Sequence, residues 1–166
     1  MARPSGKTKP LAVVARGRTM EAGSAQESIP YLLRQVAERL GRSLNEALKP
    51  FDQTPSVYRV LIALTRRNPA RITELAELTL LELSTLSRTV DRMQADGLVK
   101  RASGNDDART VLVSITSAGR EFLERILPAV SAQYEWSIHD VRPADLEGMR
   151  AALKAMLRNL RVSPIK

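Results

Sequence analysis

The chain of 166 residues contains no cysteine, which excludes disulfide frameworks, thiolate metal sites and cysteine redox sensing. Aromatic residues are scarce, at 4%, so the core must be built from Leu, Ala, Val and Ile, a composition that suits helices packed through aliphatic ridges. No apolar run approaches the ~20 residues of a membrane span. The stretch from Leu11 to Ala15 is too short for a secretory core. A cytoplasmic protein without a membrane partner is therefore expected. The single histidine, His139, has no second His and no Cys beside it, and is a poor metal site. Gly-rich phosphate loops and the HExxH and GxSxG signatures are also missing. Asp106 and Asp107 fall in an expected polar turn, where solvated carboxylates are ordinary. No catalytic residue, metal or cofactor is assigned, and an enzyme is disfavoured.

What the chain has in excess is positive charge, +8 in all. Five cations (Arg3, Lys7, Lys9, Arg16 and Arg18) lie in the first 20 residues, without an acid. Removing residues 1 to 27 still leaves 21 basic against 16 acidic side chains. The remainder is basic in its own right, which suits a polyanion such as DNA. A plain surplus of surface Lys and Arg is the alternative. Residues 1 to 27, rich in Pro, Gly, Ser and cations, read as a disordered basic N-terminal tail. Met20 is an alternative start, which would make the basic arm dispensable.

From Ile29 the helical period is clear, with Leu33, Val36, Ala37, Leu40, Leu44, Ala47 and Leu48 on one stripe and Pro50 ending it. Thr54-Pro55 opens a second helix with Val57, Val60, Leu61 and Leu64 inward, and Asn68-Pro69 breaks it. Thr73 is expected to cap a short third helix from Glu74 to about Leu78. A polar-apolar helix from about Glu82 to Asp96 follows, terminated by Gly97, with Leu83, Leu86, Val90 and Met93 as its anchors. The period then changes to that of strands, 98 to 101 and 110 to 115, around a polar turn at 103 to 107. Thr116 caps a long helix that Pro128 should kink. Pro143 starts a last helix whose buried face is expected to hold Leu146, Met149, Leu153, Met156, Leu157 and Leu160.

The fold class is thus mainly α with a small β-wing. Its middle is a helix-turn-helix followed by a wing, flanked by N- and C-terminal helices. In such proteins the second helix of the pair enters the major groove, where short hydroxyls and cations meet base edges and phosphates. Opposite the apolar stripe of the 82 to 96 helix stand Ser84, Thr85, Ser87, Arg88 and Arg92. A merely solvated helix face would look the same; standing before a wing, the pattern gains meaning.

Two runs carry a family resemblance. ITELAELTLLELSTLSRTVDRMQADGLVKR, residues 72 to 101, resembles the helix-turn-helix of MarR-family regulators. NDDARTVLVSITSAGREFL, residues 105 to 123, is similar to their wing signature, Asp-x-Arg followed by a strand and Leu-Thr-x-x-Gly-Arg. The resemblance spans roughly 30 to 160 and implies a homodimeric, DNA-binding transcription regulator, more often a repressor. It implies a winged-helix domain over 28 to 162, with a DNA-binding lobe at 53 to 116 and dimerisation helices at 28 to 50 and 117 to 162. Two such lobes would read a near-palindromic operator in double-stranded DNA. Ser84, Thr85, Ser87 and Arg88 would face the major groove, with Arg92 beside them. Lys100, Arg101 and the wing residues Asp107 and Arg109 would serve the backbone and minor groove. Asp91 would pair with Arg109, which makes Arg109 either a buttress or a DNA contact. Departures are Leu83, where relatives often carry a polar residue, Glu82, a poorer cap than Asp, and Ile115 in place of Leu.

The resemblance also implies a small anionic or phenolic effector bound between the dimer helices and the DNA-binding lobe; an aromatic wall with an arginine suits an aromatic acid or its thioester. Tyr31, Arg34, Arg39, Tyr58, Arg59, Trp136 and His139 are its candidate pocket residues here, although each is equally a packing or surface residue. The alternative is a winged-helix DNA-binding protein without small-molecule response.

Overall fold

The computed structural model describes residues 13–15, 18–20, 27–103 and 111–161. Most of the 1 to 27 tail, and with it the expectation of disorder there, lies outside the described residues. Within it, β1 (Val13–Ala15) and β2 (Arg18–Met20) pair as an antiparallel ribbon.

Six helices follow. α1 (Ile29–Leu48) ends in a 3-10 turn, Lys49–Phe51, at Pro50. α2 (Pro55–Arg66) starts at a proline whose missing N–H costs a first turn nothing. β3 (Ala70–Arg71) and α3 (Ile72–Thr79) come next. α3 starts two residues earlier than expected, and its cap is not Thr73: the Arg71 N–H donates to the Glu74 carboxylate at 2.9 Å. A carboxylate one turn in can satisfy this free donor as well as a capping hydroxyl, and it also suits the helix dipole.

α4 (Leu83–Ala95) ends as Gly97 predicts. That residue adopts φ +72°, and the N–H of Leu98 then closes back on the Met93 carbonyl at 2.8 Å, a Schellman closure. β4 (Val99–Ser103) and β5 (Val111–Ile115) form the wing, joined to β3 in the antiparallel order β3-β5-β4. The third strand had no signal of its own. It exists because Ala70 and Arg71 find Val113 and Leu112 opposite them, while the Asn68 side chain accepts the Ile115 N–H at 3.1 Å.

α5 (Ser117–Ser137) is capped as expected by Thr116, whose hydroxyl accepts the Gly119 N–H at 3.0 Å and donates to the Gly97 carbonyl at 2.7 Å. One side chain thus ties the exit of α4 to the entry of α5. α5 continues through Pro128, and α6 (Pro143–Arg161) closes the described chain.

The core lies in the middle of the chain. Leu48, Leu61, Leu64, Leu75, Leu86, Met93, Val113 and Ile126 are fully buried and bring α1, α2, α3, α4, β5 and α5 together. Each such side chain stabilises the fold by about 1.5–3 kcal/mol through removal from water. Three expectations are corrected at its margins. Leu83 does not anchor α4; it is 53% exposed, in a notch with Ile72 and Val111. On α1 only the C-terminal end, Ala47 and Leu48, is buried, whereas Val36 and Ala37 are exposed. The apolar face of α6 is not covered by the described residues: Met149, Leu157 and Leu160 are exposed and Leu146, Leu153 and Met156 only half-buried. A helix period reveals which residues share a face, not whether this chain supplies what lies against it.

Candidate nucleic-acid interface

α4 presents two sharply different faces. Leu86, Val90 and Met93 are wholly buried, at helical spacing, against the core. Ser84, Thr85, Ser87, Arg88 and Arg92 all point to solvent. The Arg88 guanidinium forms no ion pair among the described residues. Arg92 lies 3.9 Å from the Asp52 carboxylate and 3.8 Å from that of Asp96, contacts loose enough to exchange for a stronger anion. Hydroxyls and a free guanidinium on one convex helix face can meet base edges and phosphates together.

Two further residues belong beside them. Thr54 and Ser56, at the start of α2, share a hollow of about 340 Å³ with Thr85, Arg88, Thr89 and Arg92. Sequence reasoning read Thr54 only as a helix opener. The available signal was the pair of hydroxyls around Pro55, at a helix start where backbone N–H groups also point outward.

The wing separates two cations that look alike in sequence. In a strand successive side chains point to opposite faces. Val99 is buried against the core, so Arg101, two residues on, faces the same way, and Lys100 faces out. The Arg101 guanidinium lies against the Asp91 carboxylate of α4 at 2.5 Å and donates to the Ser87 carbonyl at 3.3 Å. Its Nε is buried without a hydrogen-bond partner among the described residues. Arg101 is therefore engaged with α4 rather than extended as a free phosphate ligand. The same contact engages one carboxylate oxygen of Asp91, whose expected pairing with Arg109 falls outside the described residues. Lys100 is exposed and free of ion pairs among the described residues. Asp107 and Arg109 lie outside the described residues.

The candidate effector residues are not gathered in one place. Tyr31 accepts a hydrogen bond from Gln35 on its own helix at 2.8 Å, and Arg34 pairs with Glu38. Arg39 is exposed, and Trp136 is 79% exposed. His139 lies beyond the end of α5, beside Asp140 and against the Trp136 ring. Tyr58 is the exception. It lines a cavity of about 220 Å³ with Leu40, Ser43, Leu44, Val130, Gln133 and Tyr134, where α1 and α5 meet α2 and the Ser43 hydroxyl donates to Gln133 at 2.7 Å. Among the described residues, no charged side chain lines that cavity. Burial pushes the Tyr58 phenol above its ordinary pKa, so it stays protonated. On its other side Tyr58 joins Arg59 in a separate groove.

Comparison with known proteins follows the same outline. The MarR family model matches residues 51–110, the stretch from just before α2 to the residue that precedes β5. The transcriptional repressor IacR of Pseudomonas putida is 29% identical over 136 residues, 81% of either chain. The structure of a MarR-family transcriptional regulator from Silicibacter pomeroyi superposes with a TM-score of 0.77 at 30% identity, covering 88% of this chain and 99% of that one. A mutant of MarR from Escherichia coli, solved in complex with operator DNA, superposes with a TM-score of 0.70 at 27% identity, covering 80% of this chain and 96% of that one.

Proposed function

The chain belongs to the MarR family of winged-helix transcriptional regulators, and from that premise we propose that two copies of it bind one near-palindromic operator. The observation that carries the reading is the outward face of α4, where Ser84, Thr85, Ser87 and the unpaired Arg88 stand clear of the core that anchors the opposite face. In this reading α4 enters the major groove, with Ser84, Thr85, Ser87 and Arg88 meeting base edges. Thr54, Ser56, Arg92 and Lys100 hold phosphates, and Asp107 and Arg109 extend the wing toward the minor groove. Phosphate contacts set register and orientation, and base-edge contacts set sequence. Arg101 acts indirectly, by holding the wing against α4.

The dimer follows from what the chain leaves uncovered. Ile29, Leu32 and Val36 on α1, and Met149, Leu157 and Leu160 on α6, are large apolar side chains at the two ends of the described domain. A second copy that covers them through 28 to 50 and 117 to 162 places two 53 to 116 lobes on one duplex. Half-sites about one turn, ~34–36 Å, apart impose that geometry. The chain acts in the cytoplasm as a repressor, released when a small effector shifts the spacing of its two reading helices. The repressor role is supported by the name of its relative IacR, and a regulator rather than a catalyst by the names of all the proteins compared above.

Competition binding tests the reading. A fluorescent duplex from the chain's own promoter is titrated with protein, then challenged with random DNA at fixed salt. Preference by a factor of ~10³ or more supports a sequence-specific regulator. Equal competition by random DNA would leave a winged helix that binds DNA without reading it.

A further inference from the structure

We propose that Leu83, the first residue of α4, reads the 5-methyl group of a thymine in each half of the operator. The proposal rests on the DNA-reading assignment described above and adds to it one residue and the base that this residue selects.

Leu83 is an apolar side chain in a polar setting. It is 53% exposed, whereas Leu86, Val90 and Met93, further along α4, are wholly buried. Nor does it stand alone. Exposed Val111 of β5 and half-buried Ile72 of α3 lie beside it and form with it a hollow of about 260 Å³ between α4 and the wing. Ser87 and Arg101 complete the rim. The Arg101 guanidinium is held by the Asp91 carboxylate and the Ser87 carbonyl, so it stays against α4. Among the described residues, no unpaired charge lines the hollow.

The position of Leu83 places it against DNA. Ser84 and Thr85 follow it directly, Ser87 and Arg88 stand one turn on, and all of them are exposed. In a helix-turn-helix the N-terminal residues of the second helix contact base edges. Glu82 makes no side-chain bond to the start of α4, and the first bond of the helix runs from the Leu86 N–H to the Glu82 carbonyl at 2.9 Å. The N–H groups of Leu83, Ser84 and Thr85 precede it, have no acceptor within the helix, and suit a phosphate. A phosphate held there brings the base edges of the groove to the first turn.

Among the groups that base edges present in the major groove, the thymine methyl is the apolar one. The others are hydrogen-bond donors and acceptors, which a leucine cannot satisfy and would separate from water. Leu83 therefore favours thymine in two ways. It covers the methyl group, and it leaves a competing polar edge without a partner.

Deoxyuridine tests the contact, because it differs from thymidine only in lacking the 5-methyl group. An operator obtained by selection receives deoxyuridine for thymidine at one symmetric pair of positions at a time, and each duplex is titrated with the full chain at fixed salt. One such pair is expected to weaken wild-type binding by about fourfold per half-site, the effect of returning one methyl group to water. Leu83→Ala should bind the two duplexes equally at that pair, and Leu83→Met, which keeps an apolar side chain, should retain part of the preference. Both variants should keep the wild-type thermal midpoint, since Leu83 lies outside the buried core. An operator without a fixed thymine in its halves, or one that no deoxyuridine substitution weakens, would overturn the proposal. So would a preference for thymidine that persists in full in Leu83→Ala, which would assign the methyl group to another side chain such as Thr85. These three results leave the DNA-reading assignment standing, because a selected operator is bound in each. Failure of that assignment shows separately, as equal competition by random DNA, and removes this proposal with it.

Discussion

Arg101 of β4 and Asp91 of α4 form an ion pair that locks the wing onto the helix expected to read DNA. The guanidinium also reaches the Ser87 carbonyl, one turn earlier on the same helix. A rotation of β4 relative to α4 would break these contacts. The pair is partly solvated, with Asp91 more than half exposed, so its stabilising effect is modest while its orienting effect is direct.

Removing either partner should therefore affect binding more than folding. Arg101→Met and Asp91→Asn, with the double variant, should give a coupling energy of about 1 kcal/mol or less in urea unfolding. Operator affinity should fall by a larger factor in both single variants. A loss of stability that accounted for the whole loss of affinity would remove the orienting role.

Arg88 and Lys100 should separate cleanly. Arg88→Ala is expected to cost ~1–3 kcal/mol on operator and little on random DNA, as befits a guanidinium that reads a base. Lys100→Ala should weaken both evenly and reduce the salt slope by about 1, the mark of one lost phosphate contact. Anisotropy titrations at several salt concentrations distinguish the two patterns. An equal loss on both DNAs for Arg88→Ala would make it a phosphate ligand.

Gly119 is fixed by a close approach. A Cβ there would lie 2.1 Å from the Leu98 carbonyl oxygen and 2.9 Å from Ile115 Cγ1, and the first of these is backbone that cannot move aside cheaply. Gly119→Ala should push α5 away from the start of the wing and destabilise the fold by about 3 kcal/mol, at the upper end of overpacking. Thermal or urea unfolding checks it; an unchanged midpoint would mean that Thr116 and Gly119 do not join α4 to α5 as described.

Leu157→Asp is aimed at the uncovered face of α6, where Leu157 is 63% exposed in the single chain. Because no described residue buries it, the substitution should leave monomer folding intact and shift the proposed dimer toward monomer in light scattering. A dimer of unchanged stability would exclude this face from the interface.

The sequence revealed most where the signal was local. The apolar row of α2, the αL stop at Gly97 and the Thr116 cap each depend on residues within a turn or two, and each formed as read; in α4 Leu86, Val90 and Met93 did so and Leu83 did not. β3 did not, because a two-residue strand is made by its partner β5 and not by its own residues. The outward face of α4 was legible from its period. The inward turn of Arg101 was legible too, since Val99 and Arg101 share strand parity, but its basic charge drew attention instead to a free phosphate ligand. The covering of α6 and the meeting of Ile72, Leu83 and Val111 at one hollow depend on packing between distant segments, which no local period encodes.

The central claim, that paired α4 helices read a specific sequence, is tested most directly by selecting bound duplexes from a random DNA pool and sequencing them. The account expects enrichment of one near-palindrome with half-site centres about 10 bp apart, and loss of its conserved bases in the Arg88→Ala selection. A pool that emerges without any enriched sequence would contradict it.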